Sequence, residues 1–142
     1  MERSLVLIKP DGVERGLSGD IINRIEKLGL KLIGVRMLLI DRVLAERHYA
    51  PHKAKPFFES LVGYITSGPV LALAFEGDGA VDKIRKAMGA TDPAKAELGT
   101  IRGDLSINIE KNTVHGSDSP TTAEQEISLF FKPADMVNYS RK

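Results

Sequence analysis

Three short apolar runs limit what this chain can become. Residues 4–9 (Ser-Leu-Val-Leu-Ile-Lys) stop at Pro10 and read as a buried strand. Residues 31–40 alternate imperfectly through Leu32, Val35, Met37 and Leu39, the pattern of a half-buried strand. Residues 69–76 (Pro-Val-Leu-Ala-Leu-Ala-Phe-Glu) form a third run, expected at the centre of a sheet. Between the runs, apolar residues recur at helical spacing. Ile21, Ile22, Ile25 and Leu28 share one face within 18–29, stopped by Gly29, and Val81, Ile84 and Met88 do so within 78–88. Residues 42–50 and 55–63 read as further helices separated by Pro51 and Pro56, and a last helix is expected over about 120–131.

Lys9-Pro10-Asp11-Gly12 reads as a turn, because proline presets its own φ and Asp-Gly permits a reversal. Residues 89–114 read as a long, mostly irregular loop with a short strand ending near Val114, and the last eleven residues as a tail. A loop that long is usually functional or disordered. This order of elements implies an α/β (α+β) sandwich of the ferredoxin-like split βαβ type, with an antiparallel sheet and added helices. At 142 residues, 42% of them hydrophobic, a single domain over 1–142 is expected.

Composition removes whole classes of function. Cysteine is absent, which excludes disulfides, thiol catalysis and thiolate metal sites. No run approaches the ~20 apolar residues of a membrane span, and Leu5–Ile8 is too short for a secretory signal, so a cytoplasmic protein is expected. A net charge of +1 argues against nucleic acid as the main partner, although Lys53, Lys55, Lys83, Arg85 and Lys86 could form a local patch. There is no phosphate-binding G-x-x-x-x-G-K-[ST] loop, no G-x-G-x-x-G and no H-E-x-x-H. His48 and His52 have the spacing of two ligands on one helical face, but Pro51 intervenes and no acidic third ligand is evident, so they read as surface or helix-end histidines.

His115 stands apart. It lies in Asn112-Thr113-Val114-His115-Gly116-Ser117-Asp118-Ser119-Pro120, just before a helix that Ser119 or Thr121 could cap, and Glu126 follows about two turns into that helix. A carboxylate held against one imidazole nitrogen orients the ring and makes the other a better nucleophile, including toward phosphorus. On spacing alone, a capped polar loop with a surface histidine accounts for the segment equally well. Lys9 at a strand end, Arg85 on a helix and Arg102 in the long loop could serve phosphate oxygens together, or be three solvated charges.

The segment Asn112–Ile127 resembles the active-site signature of nucleoside diphosphate kinases. Leu7-Ile8-Lys9-Pro10-Asp11-Gly12, His48-Tyr49, Pro56-Phe57-Phe58, Ser67-Gly68-Pro69-Val70, Gly89-Ala90-Thr91-Asp92-Pro93 and Gly99-Thr100-Ile101-Arg102-Gly103-Asp104 follow in that family's order, so the resemblance spans roughly residues 3–139. It implies a reversible ping-pong transfer of a γ-phosphoryl group from a nucleoside triphosphate to a nucleoside diphosphate through a phosphohistidine on His115. It implies that Glu126, with help from Ser117, orients His115, and that Lys9 and Tyr49 sit at the transferred phosphate. Arg85, Thr91 and Arg102 would bind the phosphate chain and Asn112 the ribose, with Phe57 and Ile109 sandwiching the base beside Leu61. Broad tolerance of base and sugar follows from a site that stacks without reading base edges. Mg²⁺ is implied with the nucleotide, held mainly by phosphates and water and by no protein metal site. The family also implies a homo-oligomer, a tetramer or a hexamer, and the short C-terminal tail leaves the choice open. Two rivals are a binding module without catalysis and a phosphohistidine donor to other proteins.

Overall fold

The computed structural model describes residues 1–142. Four strands, β1 (Arg3–Ile8), β2 (Lys31–Leu39), β3 (Pro69–Glu76) and β4 (Val114–Gly116), form one sheet in the order β2-β3-β1-β4. Every neighbouring pair is antiparallel. Seven α-helices accompany it: α1 (Pro10–Glu14), α2 (Ser18–Glu26), α3 (Arg42–His48), α4 (Phe58–Ile65), α5 (Ala80–Met88), α6 (Ile101–Leu105) and α7 (Pro120–Phe130). The expected α+β sandwich is the one observed.

Strand β1 explains why both faces of the sheet are covered. Leu5 and Leu7 point to one face and Val6 and Ile8 to the other, and all four are fully buried. Leu5 and Leu7 pack with Ala45, Val62, Ile65, Ile127 and Phe130, from α3, α4 and α7. Val6 and Ile8 pack with Ile21, Ile25, Ile84, Met88 and Ile101, from α2, α5 and α6. Truncating a buried Leu or Ile costs about 2–5 kcal/mol, so β1 is a strand the fold can ill afford to lose. Two functional candidates hang on it: Lys9 follows its last residue, and β4 pairs along it with Leu7 opposite His115.

The structure departs from the sequence-based expectations in five places. Lys9–Gly12 is not a free turn, because Pro10 opens α1 with Lys9 as its extended N-cap; proline's fixed φ suits a first helical position as well as a turn. Helix α4 begins at Phe58 rather than at residue 55. The long loop contains α6, started by the Thr100 side chain accepting from the Gly103 amide. In β2 a bulge between Leu32 and Gly34 leaves Ile33 without a partner in the register and reverses the faces beyond it. Val35, Met37 and Leu39 therefore lie on the solvent side, 53%, 61% and 73% exposed. Finally, the C-terminal residues are not a loose tail. The Val137 amide donates to the Ile33 carbonyl at 2.9 Å, and Arg141 donates to the Glu26 and Leu30 carbonyls at 2.7 and 2.9 Å.

Candidate active site

The register of β4 decides where His115 points. Val114 is part of the core on the α2–α5 face, so His115 projects to the opposite face, toward α3 and α7. Gly116 allows that close packing: a Cβ there would stand 2.8 Å from the Met88 sulfur. The need is for space rather than for a special turn.

Helix α7 supplies the carboxylate. Ser119 caps it by accepting from the Thr122 amide at 3.1 Å, with Pro120 at the first position. Its buried stripe is Ala123, Glu126, Ile127 and Phe130, which puts a carboxylate where spacing calls for an apolar residue. Glu126 lies beside His115, with Nε2 at 3.0 Å from Oε1 and 3.1 Å from Oε2. The Ser117 hydroxyl, fully buried, donates to Glu126 Oε1 at 2.7 Å and accepts from the Leu5 amide at 3.2 Å. Burial works to raise the Glu126 carboxyl, but the hydrogen bonds and nearby charge of His115, with the Ser117 bond, outweigh it and hold the group below its ordinary value. An ionised Glu126 accepts from Nε2, so in the neutral ring the proton sits on Nε2 and Nδ1 keeps a free lone pair.

The cations converge with Asn112 and Thr91. Lys9 Nζ donates to Asn112 Oδ1 at 2.8 Å, and Asn112 Nδ2 donates to the Thr91 carbonyl at 3.2 Å. Burial, and then the charge of Arg102, lower the Lys9 ammonium to about 8, with Asp11 pulling the other way. Arg102 donates to the Val114 carbonyl at 2.8 Å and to the Gly89 carbonyl at 3.1 Å, while its Nε has no partner. Burial first, and then Arg85, lower it to about 10. Arg102 thus repels Lys9, and Arg85 repels Arg102, a repulsion that an anion among them would relieve. Arg85 and Thr91 are exposed.

Thr113, two residues before His115, ties that segment to the end of β1 and the start of α1. Its φ of +77° is the left-handed region, which a β-branched residue adopts only under constraint. Its carbonyl accepts from the Lys9 amide at 2.8 Å and its hydroxyl donates to Asp11 Oδ2 at 2.9 Å. The strain, of order 1–3 kcal/mol, is held by this frame.

On the other side of His115, Tyr49 is buried with a partnerless hydroxyl, pushed up to about 12 by burial and by Glu126. A ring contact leads outward from Tyr49 to His52 (6.4 Å between centroids) and on to Phe57 (5.9 Å). Phe57 is 48% exposed while Phe58 is in the core, which separates two adjacent rings between surface and core. Ile109 is exposed, lies outside any strand and is no part of the core. The Ser60 hydroxyl donates to Glu110 at 2.5 Å, holding the Leu61 end of α4 beside the Ile109 loop.

One neighbour escapes the sequence reading. His48, the last residue of α3, is a buried helix-end residue and not a surface one. Its ring meets His115, Tyr49 and Phe130 edge-on, at 4.7, 4.7 and 5.6 Å. Burial, and then His115, lower it to about 3. Its Nδ1 is 3.9 Å from Glu126 Oε2; from a neutral ring at that distance this is no ion pair. The available signal was the stripe Ala45, His48, Tyr49, which marks the buried face of α3.

The chain is similar to known proteins along its length. A family model described as nucleoside diphosphate kinase matches residues 2–136. A nucleoside diphosphate kinase of Dehalococcoides mccartyi (strain CBDB1) is 69% identical over 142 residues, 100% of each chain. A solved structure of a halophilic nucleoside diphosphate kinase from Halobacterium salinarum, in complex with CDP, superposes with a TM-score of 0.96 at 49% identity, covering 99% of this chain and 93% of that one. A nucleoside diphosphate kinase family protein from Babesia bovis does so with a TM-score of 0.95 at 41% identity, covering 99% and 95%.

Proposed function

The chain belongs to the nucleoside diphosphate kinase family, and from that premise we propose that it moves a γ-phosphoryl group between nucleotides through His115. It is a nucleotide-binding transferase of the kinase class. In our reading the Nδ1 lone pair of His115 attacks the γ-phosphorus of a nucleoside triphosphate. The new N–P bond replaces the bond to the β,γ-bridging oxygen, and the nucleoside diphosphate leaves with that electron pair. A second diphosphate reverses the step and carries the group away. The observation that carries this reading is the His115 Nε2–Glu126 contact at 3.0 Å, which leaves Nδ1 as the free nitrogen.

The other roles follow from position. Glu126, oriented by Ser117, stabilises the positive charge that the imidazole gains as the bond forms. Lys9, with Tyr49 near the transferred group, and Arg102, Arg85 and Thr91 along the phosphate chain, receive the anion; Asn112 serves the ribose. Phe57, Leu61 and Ile109 hold the base by apolar contact, which supports broad base tolerance. The family's divalent cation is, in this reading, Mg²⁺. The donors here do not offer it a cage of oxygens, since the one carboxylate against His115 is already held by that ring and by Ser117. It would therefore enter on nucleotide phosphates and water, where it neutralises phosphate charge.

We extend the proposal to one functional domain over 1–142, a cytoplasmic setting and a homo-oligomer, tetramer or hexamer. No helix is long and apolar enough to cross a membrane. Self-association is supported by the exposed Val35, Met37 and Leu39 on β2, a sheet-edge strand. The test is intact-protein mass after incubation with ATP and Mg²⁺, then after GDP. One phosphoryl increment, discharged by GDP as GTP forms and absent in His115→Ala, is expected. ATP bound without any increment would leave a binding module instead.

A further inference from the structure

Three histidines stand in this chain, and the pair that sequence spacing singles out is not the pair the fold joins. His52 turns toward Phe57. His48 instead meets His115 and Glu126: one ligand atom from each of these three residues lies within 4.8 Å of the other two. Two imidazoles and a carboxylate form a donor set suited to zinc and similar borderline cations, and unsuited to Mg²⁺, which wants oxygen.

His48 is the unexplained member. It is buried with side-chain exposure of 2%, and neither of its ring nitrogens has a hydrogen-bond partner. A buried polar group left unsatisfied calls for a reason, and the phosphotransfer step gives His48 none. Its Nδ1 faces Glu126 Oε2 at 3.9 Å, and His115 Nε2 lies 3.0–3.1 Å from the same carboxylate. A tetrahedral ion with ~2.0–2.1 Å bonds separates its ligands by about 3.3–3.4 Å, so to share one the His48–Glu126 separation would close by about 0.5 Å and the two imidazole donors, within 4.8 Å of each other, by up to about 1.4 Å. Ser117 already orients the carboxylate from behind, the kind of support that ligands of metal sites have. The access route is the His115 side, where the ring is 23% exposed.

We propose that His48, His115 and Glu126 form a binding site for a zinc-type divalent cation that closes the nucleophile. On binding, the proton of His115 Nε2 passes to solvent and the metal takes its place, with water in the fourth position. The metal draws electron density from the ring and takes Glu126 from its orienting role, so Nδ1 attacks phosphorus poorly. Binding stands on the geometry alone; the block on phosphorylation rests on the kinase reading above.

The test uses the full chain, free of nucleotide, titrated with Co²⁺ as a spectroscopic probe and with Zn²⁺ in competition. One Co²⁺ per chain with the visible absorption of a tetrahedral site is expected, displaced by Zn²⁺. Affinity should fall at least ~100-fold in His48→Phe, which keeps an aromatic ring but no donor, and should not change in His52→Gln. Should His48→Phe fail to fold, imidazole NMR of the unaltered chain replaces it: Zn²⁺ must shift the ring nitrogens of His48 and His115 and leave those of His52 in place. No saturable binding, an octahedral spectrum, or dependence on His52 overturns the site. The Zn²⁺-loaded chain, given ATP and Mg²⁺, should gain no phosphoryl mass until EDTA equimolar with the zinc is added, with Mg²⁺ kept in large excess. Undiminished phosphorylation of the loaded chain overturns the block. A metal-free chain that gains no phosphoryl mass refutes the kinase reading and leaves the site to the binding data.

Discussion

Replacing Glu126 with glutamine separates charge from shape. The amide can keep its carbonyl oxygen where Oε1 lies, accepting from Ser117 at 2.7 Å and from His115 Nε2 at 3.0 Å. What disappears is the negative charge facing the imidazole as it becomes cationic. A charge-assisted hydrogen bond contributes about 1.5–3 kcal/mol and a neutral one about 0.5–1.5 kcal/mol. The difference of ~1–2 kcal/mol, at 1.4 kcal/mol per tenfold, slows phosphorylation by roughly 5–30-fold; further loss of ring orientation could take this to ~100-fold. The assay is rapid-quench phosphorylation of Glu126→Gln by ATP and Mg²⁺, read by intact mass, with discharge by GDP measured separately. Both half-reactions should slow, because both pass through the same charged imidazole. An unchanged rate would remove Glu126 from the chemistry. Complete loss of phosphorylation in a folded protein would show that Glu126 does more than stabilise charge.

Further outcomes follow from the same geometry. Ser117→Ala deletes two buried hydrogen bonds; thermal or urea unfolding should show a loss of about 1–3 kcal/mol, with phosphorylation slowed several-fold. For Lys9, burial lowers the ammonium from 10.5 to about 8, so between those values the unfolded chain binds more protons and stability should rise with pH over that window. Nucleotide KM should rise above pH 8 as this charge is lost, and a Lys9→Met variant should lose both effects in unfolding and kinetic pH profiles. ATP, GTP, CTP and UTP should all serve as phosphoryl donors in single-turnover assays; strict preference for one base would contradict the apolar account of Phe57 and Ile109.

What the sequence determined by itself is what depends on local pattern. Apolar runs at 4–9 and 69–76 became β1 and β3 because a short continuous run with turn signals has few other uses. Helix α7 was legible from Ser119-Pro120, since capping and proline geometry act within a few residues. The family motif pointed to His115 and Glu126, but not to the nitrogen that faces the carboxylate. Tertiary structure decided the rest because it depends on register and on contacts distant in the chain. The bulge at Ile33 moved Val35, Met37 and Leu39 to the solvent face, a one-residue slip that alternation cannot reveal. Pairing of His115 with Leu7, across more than a hundred residues, set which face the imidazole occupies. The same pairing put His115 against His48 from α3, a buried ring that sequence spacing had joined to His52. A side chain's neighbours are fixed by which elements share a core, and that is settled only when the sheet and its two layers of helices close together.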